Sequence, residues 1–112
     1  MSPRAFTKDE RERLQLGLSY LLNHLHQQVT VTQLARCAAM GEQRFKDGFQ
    51  LLFGHTPGAY LHKARLHTSL VLLKHTDKTI KEIASLCGYA HYKNFLTAFK
   101  RFFGHTPNQI RK

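Results

Sequence analysis

The chain contains one sequence pattern twice, about fifty residues apart. Phe-Gly-His-Thr-Pro occurs at Phe53–Pro57 and again at Phe103–Pro107. Upstream of each copy, phenylalanine recurs every four residues at the same offset: Phe45, Phe49 and Phe53, then Phe95, Phe99 and Phe103. Leu34-Ala35 recurs as Ile83-Ala84 at an offset of forty-nine, so one residue was inserted or lost within the repeat. Such a repeat predicts two copies of one structural unit in a single small protein.

Each copy has the pattern of helices. Phenylalanine at i, i+4 and i+8 forms a stripe on one helix face, and no alternating strand pattern occurs. Threonine followed three residues later by Glu or Gln predicts a capping box at a helix start. Four pairs fit it: Thr7 and Glu10, Thr30 and Gln33, Thr79 and Glu82, and Thr106 and Gln109. The sequence predicts seven helices, at about 8–26, 31–38, 42–53, 57–75, 80–87, 91–103 and 107–111.

The predicted fold class is all-α, with two tandem helix-turn-helix subdomains joined by a long connecting helix. The second and third helices, and the fifth and sixth, are separated by only three or four residues. The second of these turns carries Gly88 four positions after Ala84, which suits a sharp turn whose residue adopts positive φ. We predict an N-terminal subdomain at 1–55, a connecting helix at 56–76 and a C-terminal subdomain at 77–112.

The charge of the chain is strongly basic. Its formal net charge is +10, from 17 Lys and Arg against 7 Asp and Glu, which favours a polyanionic partner such as nucleic acid or an anionic membrane surface. The apolar runs are shorter than the roughly 20 residues of a membrane span, and no signal peptide opens the chain. We therefore expect a cytoplasmic protein, in which Cys37 and Cys87 are buried thiols.

No catalytic, metal or cofactor site is predicted. The pairs His24 and His26, and His62 and His67, have spacings that place neither pair on one helix face, and no CxxC occurs. The sequence also lacks paired carboxylates in a pocket pattern, a nucleophile motif and a phosphate-binding glycine loop. We therefore predict a binding protein and not an enzyme.

In a helix-turn-helix unit the second helix enters the major groove, so its outer face carries the reading residues. On the helix at 91–103 we expect these side chains to point inward: Phe95, Ala98, Phe99 and Phe102. The same helix then presents the following side chains outward: Tyr92, Lys93, Leu96, Thr97 and Lys100. The helix at 42–53 presents Gln43, Lys46, Asp47 and Gln50 outward.

Two groups of residues are predicted to contact DNA. The predicted base-reading residues are Gln43, Lys46, Asp47, Tyr92, Lys93 and Thr97. Glutamine suits adenine, lysine suits guanine, and the threonine methyl suits thymine. Asp47 either faces solvent or pairs with Lys46 or Arg44; the alternative is that it accepts a hydrogen bond from a cytosine amino group. The predicted phosphate-binding residues are Arg65, Lys100 and Arg101, with the helix starts at Thr30, Thr56, Thr79 and Thr106.

The stretch from Ile80 to the C-terminus resembles the C-terminal signature of the AraC/XylS family of bacterial transcription regulators. The positions that match are Ile80, Glu82, Ile83, Ala84, Gly88, Tyr89, Phe95, Phe99, Lys100, Phe103, Gly104 and Pro107. The first copy resembles the family through Leu34-Ala35, Phe45, Phe49, Phe53-Gly54, Tyr60, Arg65-Leu66 and Leu72-Leu73. The resemblance covers roughly residues 9–112.

The resemblance implies sequence-specific binding of double-stranded DNA, with the helices at 42–53 and 91–103 in successive major-groove segments. A connecting helix from Pro57 to His75 would be about 28 Å long, close to the roughly 34–36 Å between such segments. The resemblance also implies contact with RNA polymerase, and we expect a monomer. The chain is either a stand-alone regulator or the DNA-binding fragment of a longer one. The alternative function is a helical protein-interaction adaptor with an incidental basic face.

Three positions depart from the family pattern, all in the first copy. Many family members have glycine where Ala39 stands, so we expect the first turn to be strained by about 1 kcal/mol or to differ in shape. Gly41 takes a capping position that serine usually holds. Asp47 stands where several relatives have a basic residue. The first unit should therefore make fewer phosphate contacts than the second.

Overall fold

The structure, a computed structural model, describes residues 5–111. Within that range the chain is all-α and contains no strand, which confirms the predicted fold class. The seven helices are α1 (Lys8–Asn23), α2 (Val31–Cys37), α3 (Glu42–Phe53), α4 (Pro57–His75), α5 (Ile80–Leu86), α6 (Tyr92–Phe103) and α7 (Pro107–Arg111). None of them is both long and apolar enough to span a membrane.

The helix starts follow the predicted capping chemistry. Capping boxes at Thr7, Thr30 and Thr79 are present. In each, the threonine hydroxyl accepts the backbone N–H of the residue three positions later, and the side chain of that residue accepts the threonine backbone N–H. The fourth box, at Thr106, has the same pair of bonds, at 2.8 and 3.2 Å. Each box satisfies two backbone N–H groups that a helix start leaves free. The four predicted boxes are confirmed.

The predicted end of α1, near residue 26, was wrong by three residues. The helix ends at Asn23, and His24 leaves helical geometry at φ −130° and ψ 33°. The carbonyl groups of Leu25 and Gln27 accept hydrogen bonds from the Arg65 side chain instead of from helix amides. The segment Leu25–Gln28 is therefore a separate connection between α1 and α2.

The first of two compact units comprises the described residues through His24 together with Val29–Leu61. Its buried core is apolar and comes from α1, α2 with its C-terminal cap, and α3: Leu14, Leu21, Leu34, Ala35, Ala38, Phe45 and Phe49. An ion pair joins α1 to α3, since Arg44 donates to both carboxylate oxygens of Glu10 at 2.8 Å. These bonds, with the Thr7 backbone N–H, lower the pKa of Glu10 to about 2.

The second unit comprises Leu25–Gln28 and the described residues from His62 onward. Its core contains Leu66, Leu73, Ile83, Ala84, Cys87, Phe95 and Phe99. The phenylalanine rings pack against one another along α6 in tilted arrangements, with centroids 5.6 Å apart for Phe95 and Phe99 and 4.6 Å apart for Phe99 and Phe103. The predicted domain bounds, which set the connecting helix apart, stay a prediction.

The burial predicted for two side chains was wrong. Cys37 is exposed, because it is the last residue of α2 and its thiol lies at the surface, 3.9 Å from the carbonyl oxygen of Leu16. Phe102 is 42% exposed, whereas Phe95 and Phe99 on the same helix are fully buried. Its ring packs edge-on against His67, at 5.5 Å between centroids. Cys87 is buried, as predicted.

The first turn carries the backbone strain expected at Ala39. This residue has φ 56°, and Gly88, forty-nine residues later, has φ 92°. For a residue with a Cβ the left-handed region costs about 1–2 kcal/mol, whereas glycine enters it freely. The two turns therefore adopt related conformations, and the alanine is strained where the glycine is not.

We expect Ala39→Gly to raise the free energy of unfolding by about 1 kcal/mol, because it removes this strain at a modest cost in unfolded-chain entropy. Urea denaturation followed by circular dichroism measures the change. Ala38→Gly is the matched control, since Ala38 is buried with right-handed φ −84°. That control should lower stability by about 0.5–1 kcal/mol. An Ala39→Gly variant no more stable than the parent would contradict the strain.

Candidate nucleic-acid interface

The two helices that follow the short turns, α3 and α6, have equivalent positions in the repeat. Each contains twelve residues, and α6 begins fifty residues after α3. Phe45 and Phe49 on α3, like Phe95 and Phe99 on α6, are fully buried. The opposite face of each helix is therefore presented to solvent, and it is the face available to a partner.

The outward face of α6 is polar and positively charged. Lys93, Thr97, Lys100 and Arg101 are all exposed. Among the described residues, no ion pair or side-chain hydrogen bond engages these four, so their donors are available. Asn94, which is not among the predicted base-reading residues, is also exposed in the first turn of α6. Its place beside Lys93 at the predicted helix start already indicated an exposed polar position.

Two α6 side chains predicted to point outward are only partly exposed. Tyr92 and Leu96 are half-buried and pack against the core of the second unit, because they lie on the flank of the phenylalanine stripe. The Lys81 ammonium stands 5.6 Å from the centroid of the Tyr92 ring. Tyr92 therefore lies at the margin of the α6 face, and its contact with bases stays a prediction.

On α3 the outward residues are Gln43, Lys46 and Asp47, all exposed. The Gln43 side-chain amide donates to a carboxylate oxygen of Asp47 at 3.0 Å. Asp47 thus faces solvent, but its hydrogen-bond partner is Gln43 and not Lys46 or Arg44. Arg44 is held by Glu10 and lies 4.2 Å from the centroid of the Phe6 ring. Base contacts by the three α3 residues stay a prediction.

The two outward faces differ in charge. Equivalent positions pair Gln43 with Lys93, Lys46 with Leu96, Asp47 with Thr97, Gln50 with Lys100, and Leu51 with Arg101. The formal charge of these five positions is zero on α3 and +3 on α6. Leu51 is 61% exposed where α6 has an arginine. The sequence of the second unit contains ten basic and two acidic residues, against seven and five in the first.

Among the predicted phosphate ligands, Lys100 and Arg101 lie in the exposed last turn of α6. Arg65 is placed differently, because it is half-buried on α4 and donates to the carbonyl oxygens of Leu25 and Gln27 at 2.8 and 2.7 Å. Burial lowers the pKa of its guanidinium. These bonds use two of its three nitrogens, and its phosphate contact stays a prediction.

The four threonines predicted to contact phosphate are occupied as helix caps. Their hydroxyl oxygens accept backbone N–H bonds at 3.1–3.2 Å, in Thr30, Thr56, Thr79 and Thr106. A hydroxyl that accepts in this way retains its own hydrogen for donation. The capping role and a phosphate contact are therefore compatible, and only the first is observed.

Over residues 5–111, no group of three or more His, Cys, Asp or Glu side chains has the arrangement of a metal site. The buried Cys87 has its pKa raised to about 11 by burial, so this thiol stays protonated near neutral pH. The Tyr89 hydroxyl is also buried and its pKa is raised, again by burial.

Comparison with protein families places the chain among known domains. A model described as a helix-turn-helix domain matches residues 34–112. The probable transcriptional regulator LumQ of Photobacterium leiognathi is 29% identical over 108 residues, covering 95% of this chain and 44% of LumQ. The transcriptional activator RhaS of Enterobacter sp. is 30% identical over 100 residues, covering 89% and 36%. The chain thus spans less than half the length of these relatives.

Several solved structures of single domains match over most of their length. The DNA-binding domain of the global transcriptional factor AdpA, in complex with a target DNA, has a TM-score of 0.83 and 30% identity, covering 88% of this chain and 89% of that domain. The C-terminal domain of AraT, a response regulator of Geobacillus stearothermophilus, has a TM-score of 0.79 and 28% identity, covering 96% and 87%. An AraC-type regulator of Chromobacterium violaceum, at 21% identity, shares the fold with a TM-score of 0.83.

Proposed function

The chain belongs to the AraC family of transcription regulators and has the fold of that family's DNA-binding domain, and on this premise we propose that it binds duplex DNA sequence-specifically through α3 and α6. In this proposal each helix enters the major groove with the face opposite its buried phenylalanines, the two occupying successive groove segments. The observation that carries it is the outward face of α6, on which Lys93, Thr97 and Lys100 are exposed.

The chemistry of the α6 face supports two kinds of contact. Lys93 and Thr97 are one helical turn apart and mid-face, where a lysine suits guanine and a threonine methyl suits thymine. Lys100 and Arg101 lie at the basic end of the helix and suit backbone phosphates. Phosphate contacts give affinity and orientation, and base contacts give sequence preference.

The α3 face supports a different division of labour. Gln43, Lys46 and Asp47 present both donors and acceptors without net positive charge among the five equivalent positions. We propose that α3 contributes sequence preference with fewer phosphate contacts. The Asp47 carboxylate oxygen that Gln43 leaves free suits the amino group of cytosine.

The regulatory role and the protein partner of this chain are proposed by analogy with its longer relatives. RhaS is a transcriptional activator by its name, and we propose that this chain likewise regulates transcription, with RNA polymerase as a protein partner. We further propose that it acts in the cytoplasm, without a cofactor or catalytic site, and that it reaches two groove segments as a monomer, since one chain carries both reading helices.

Selection from a random pool of DNA duplexes tests the proposal. The bound sequences should contain two short elements about one helical turn, or roughly 10 base pairs, apart. Gel-shift titration should then show at least about tenfold preference for the selected duplex over a scrambled one. Absence of any preference at low salt would reject DNA reading and favour the protein-interaction adaptor.

We expect Lys100→Ala to lower the salt dependence of DNA binding by about one unit in the slope of log K against log salt concentration, because one phosphate contact is lost. Titrations of one duplex at several salt concentrations measure it. Gln50→Ala, at the equivalent uncharged position of α3, should leave the slope unchanged. An unchanged slope for Lys100→Ala would remove this residue from the phosphate ligands.

A further inference from the structure

Arg65 binds the backbone of a distant segment within the second unit. Its Nε donates to the Leu25 carbonyl at 2.8 Å and a terminal nitrogen donates to the Gln27 carbonyl at 2.7 Å. The two acceptors lie about forty residues earlier in the chain. The planar guanidinium presents its donors in a fixed fork, so two bonds to one segment hold that segment in a defined position.

The same guanidinium adjoins the turn that leads into α6. A Cβ on Gly88 would lie 2.7 Å from its central carbon, and 2.4 Å from the Leu25 carbonyl oxygen. The next residue, Tyr89, has its ring centroid 6.0 Å from the central carbon and packs at 5.3 Å from the Phe95 ring. The guanidinium therefore contacts both the segment Leu25–Gln28 and the turn from which α6 begins, at the point where the Leu25 carbonyl also approaches Gly88.

A second arginine of the unit is used in the same way. Arg111, on α7, donates to the carbonyl oxygens of Lys78 at 2.6 Å, Thr76 at 3.0 Å and Leu73 at 3.3 Å. These acceptors lie in and just before the connection between α4 and α5. Arginines therefore bind the connections that lead into α2 and into α5, the first helices of the two helix-turn-helix units.

We propose that Arg65 is a positioning residue for DNA reading: its guanidinium fixes the turn at Gly88 and Tyr89 against Leu25–Gln28 and thereby sets the direction in which α6 presents Lys93 and Thr97. The proposal rests on the proposed DNA-reading function of α6. This role of Arg65 differs from phosphate binding, because its guanidinium donates to backbone carbonyls. The ammonium group of a lysine cannot reproduce that geometry.

Arg65→Lys and Arg65→Ala distinguish the two roles. If Arg65 positions α6, both variants lose roughly tenfold in sequence preference at the DNA element that α6 reads. A loss of this size corresponds to about one base contact. Their preference at the other element and their salt slope stay unchanged. If Arg65 binds phosphate, Arg65→Lys keeps parental affinity while Arg65→Ala lowers the salt slope by about one unit. Lys63→Ala, at an exposed position on the same helix, is the control.

Amide hydrogen exchange of the free protein gives a readout that does not depend on DNA. Arg65→Lys should raise exchange at Gly88 and Tyr89, whose N–H groups donate to the carbonyl oxygens of Ser85 and Ala84, while the core of α6 stays protected. Unchanged exchange there, a phosphate-type result on DNA, or a loss of affinity shared equally by both elements would each overturn the proposal. Lack of sequence preference in the parent chain with raised exchange in the variant would instead reject DNA reading and leave the fixing of the turn supported.

Discussion

Gly88→Ala is expected to lower the free energy of unfolding by about 3 kcal/mol, the largest stability change we predict. The residue has φ 92°, a conformation that costs an alanine about 1–2 kcal/mol. The added Cβ would also lie 2.4 Å from the backbone oxygen of Leu25, which cannot rotate away as a side chain can. Overpacking of this kind typically costs a further 1–3 kcal/mol or so.

Thermal and urea denaturation measure this loss, which corresponds to a fall of about 10 °C or more in Tm. Gly104→Ala is the matched control, because Gly104 has a similar φ of 83° but no atom within 4 Å of the added Cβ. The control therefore carries only the dihedral cost, about 1–2 kcal/mol. Equal losses in the two variants would mean that the collision with Leu25 is relieved by movement of the connection.

Lys93→Ala is expected to weaken binding to the selected duplex by about 1–3 kcal/mol, or roughly 5- to 150-fold. The reason is its exposed, mid-face position on α6, one turn before Thr97 and without an acidic partner among the described residues. A lysine that binds a specific base makes no such contact with a duplex that lacks that base. Lys93→Ala should therefore weaken binding to a scrambled duplex much less than binding to the selected one.

Fluorescence anisotropy titrations with selected and scrambled duplexes measure both losses at one salt concentration. Gln43→Ala, at the equivalent position of α3, is the matched control and should relax preference at the other element only. If Lys93→Ala weakens binding to both duplexes by the same factor, Lys93 contacts phosphate and not a base. In that case the salt slope should fall by about one unit as well.

Much of the fold could be predicted because its signals are local. A capping box spans four residues and a phenylalanine stripe nine, so the sequence around Thr79 or Phe95 contains all the groups that form the helix start or the buried face. The turn spacing predicted the positive φ at Gly88, and the family resemblance predicted the strain at Ala39. These features need no knowledge of distant contacts.

The errors and omissions involve distant or marginal contacts. The bonds from Arg65 and Arg111 join side chains to backbone carbonyls 33–40 residues away. Because every residue has a backbone carbonyl, the sequence does not indicate which one accepts such a bond. Phe102 has the spacing of a core residue, but its exposure depends on what lies beyond the last turn of α6. The bond between Gln43 and Asp47 is an exception, since its i,i+4 spacing was visible and favours such a pair.

The uneven charge of the two units has a kinetic consequence for a chain that reads DNA. Long-range attraction steers the approach of a charged protein, and the second unit contains ten basic residues against two acidic ones. The encounter with the duplex should therefore begin at α6, with α3 engaging afterwards. Added salt should then slow arrival at the target, while residence time should follow the proposed short-range base contacts of both helices. The charge of the second unit would thus set the rate of encounter with DNA, and the proposed base contacts of both units would set the lifetime of the complex.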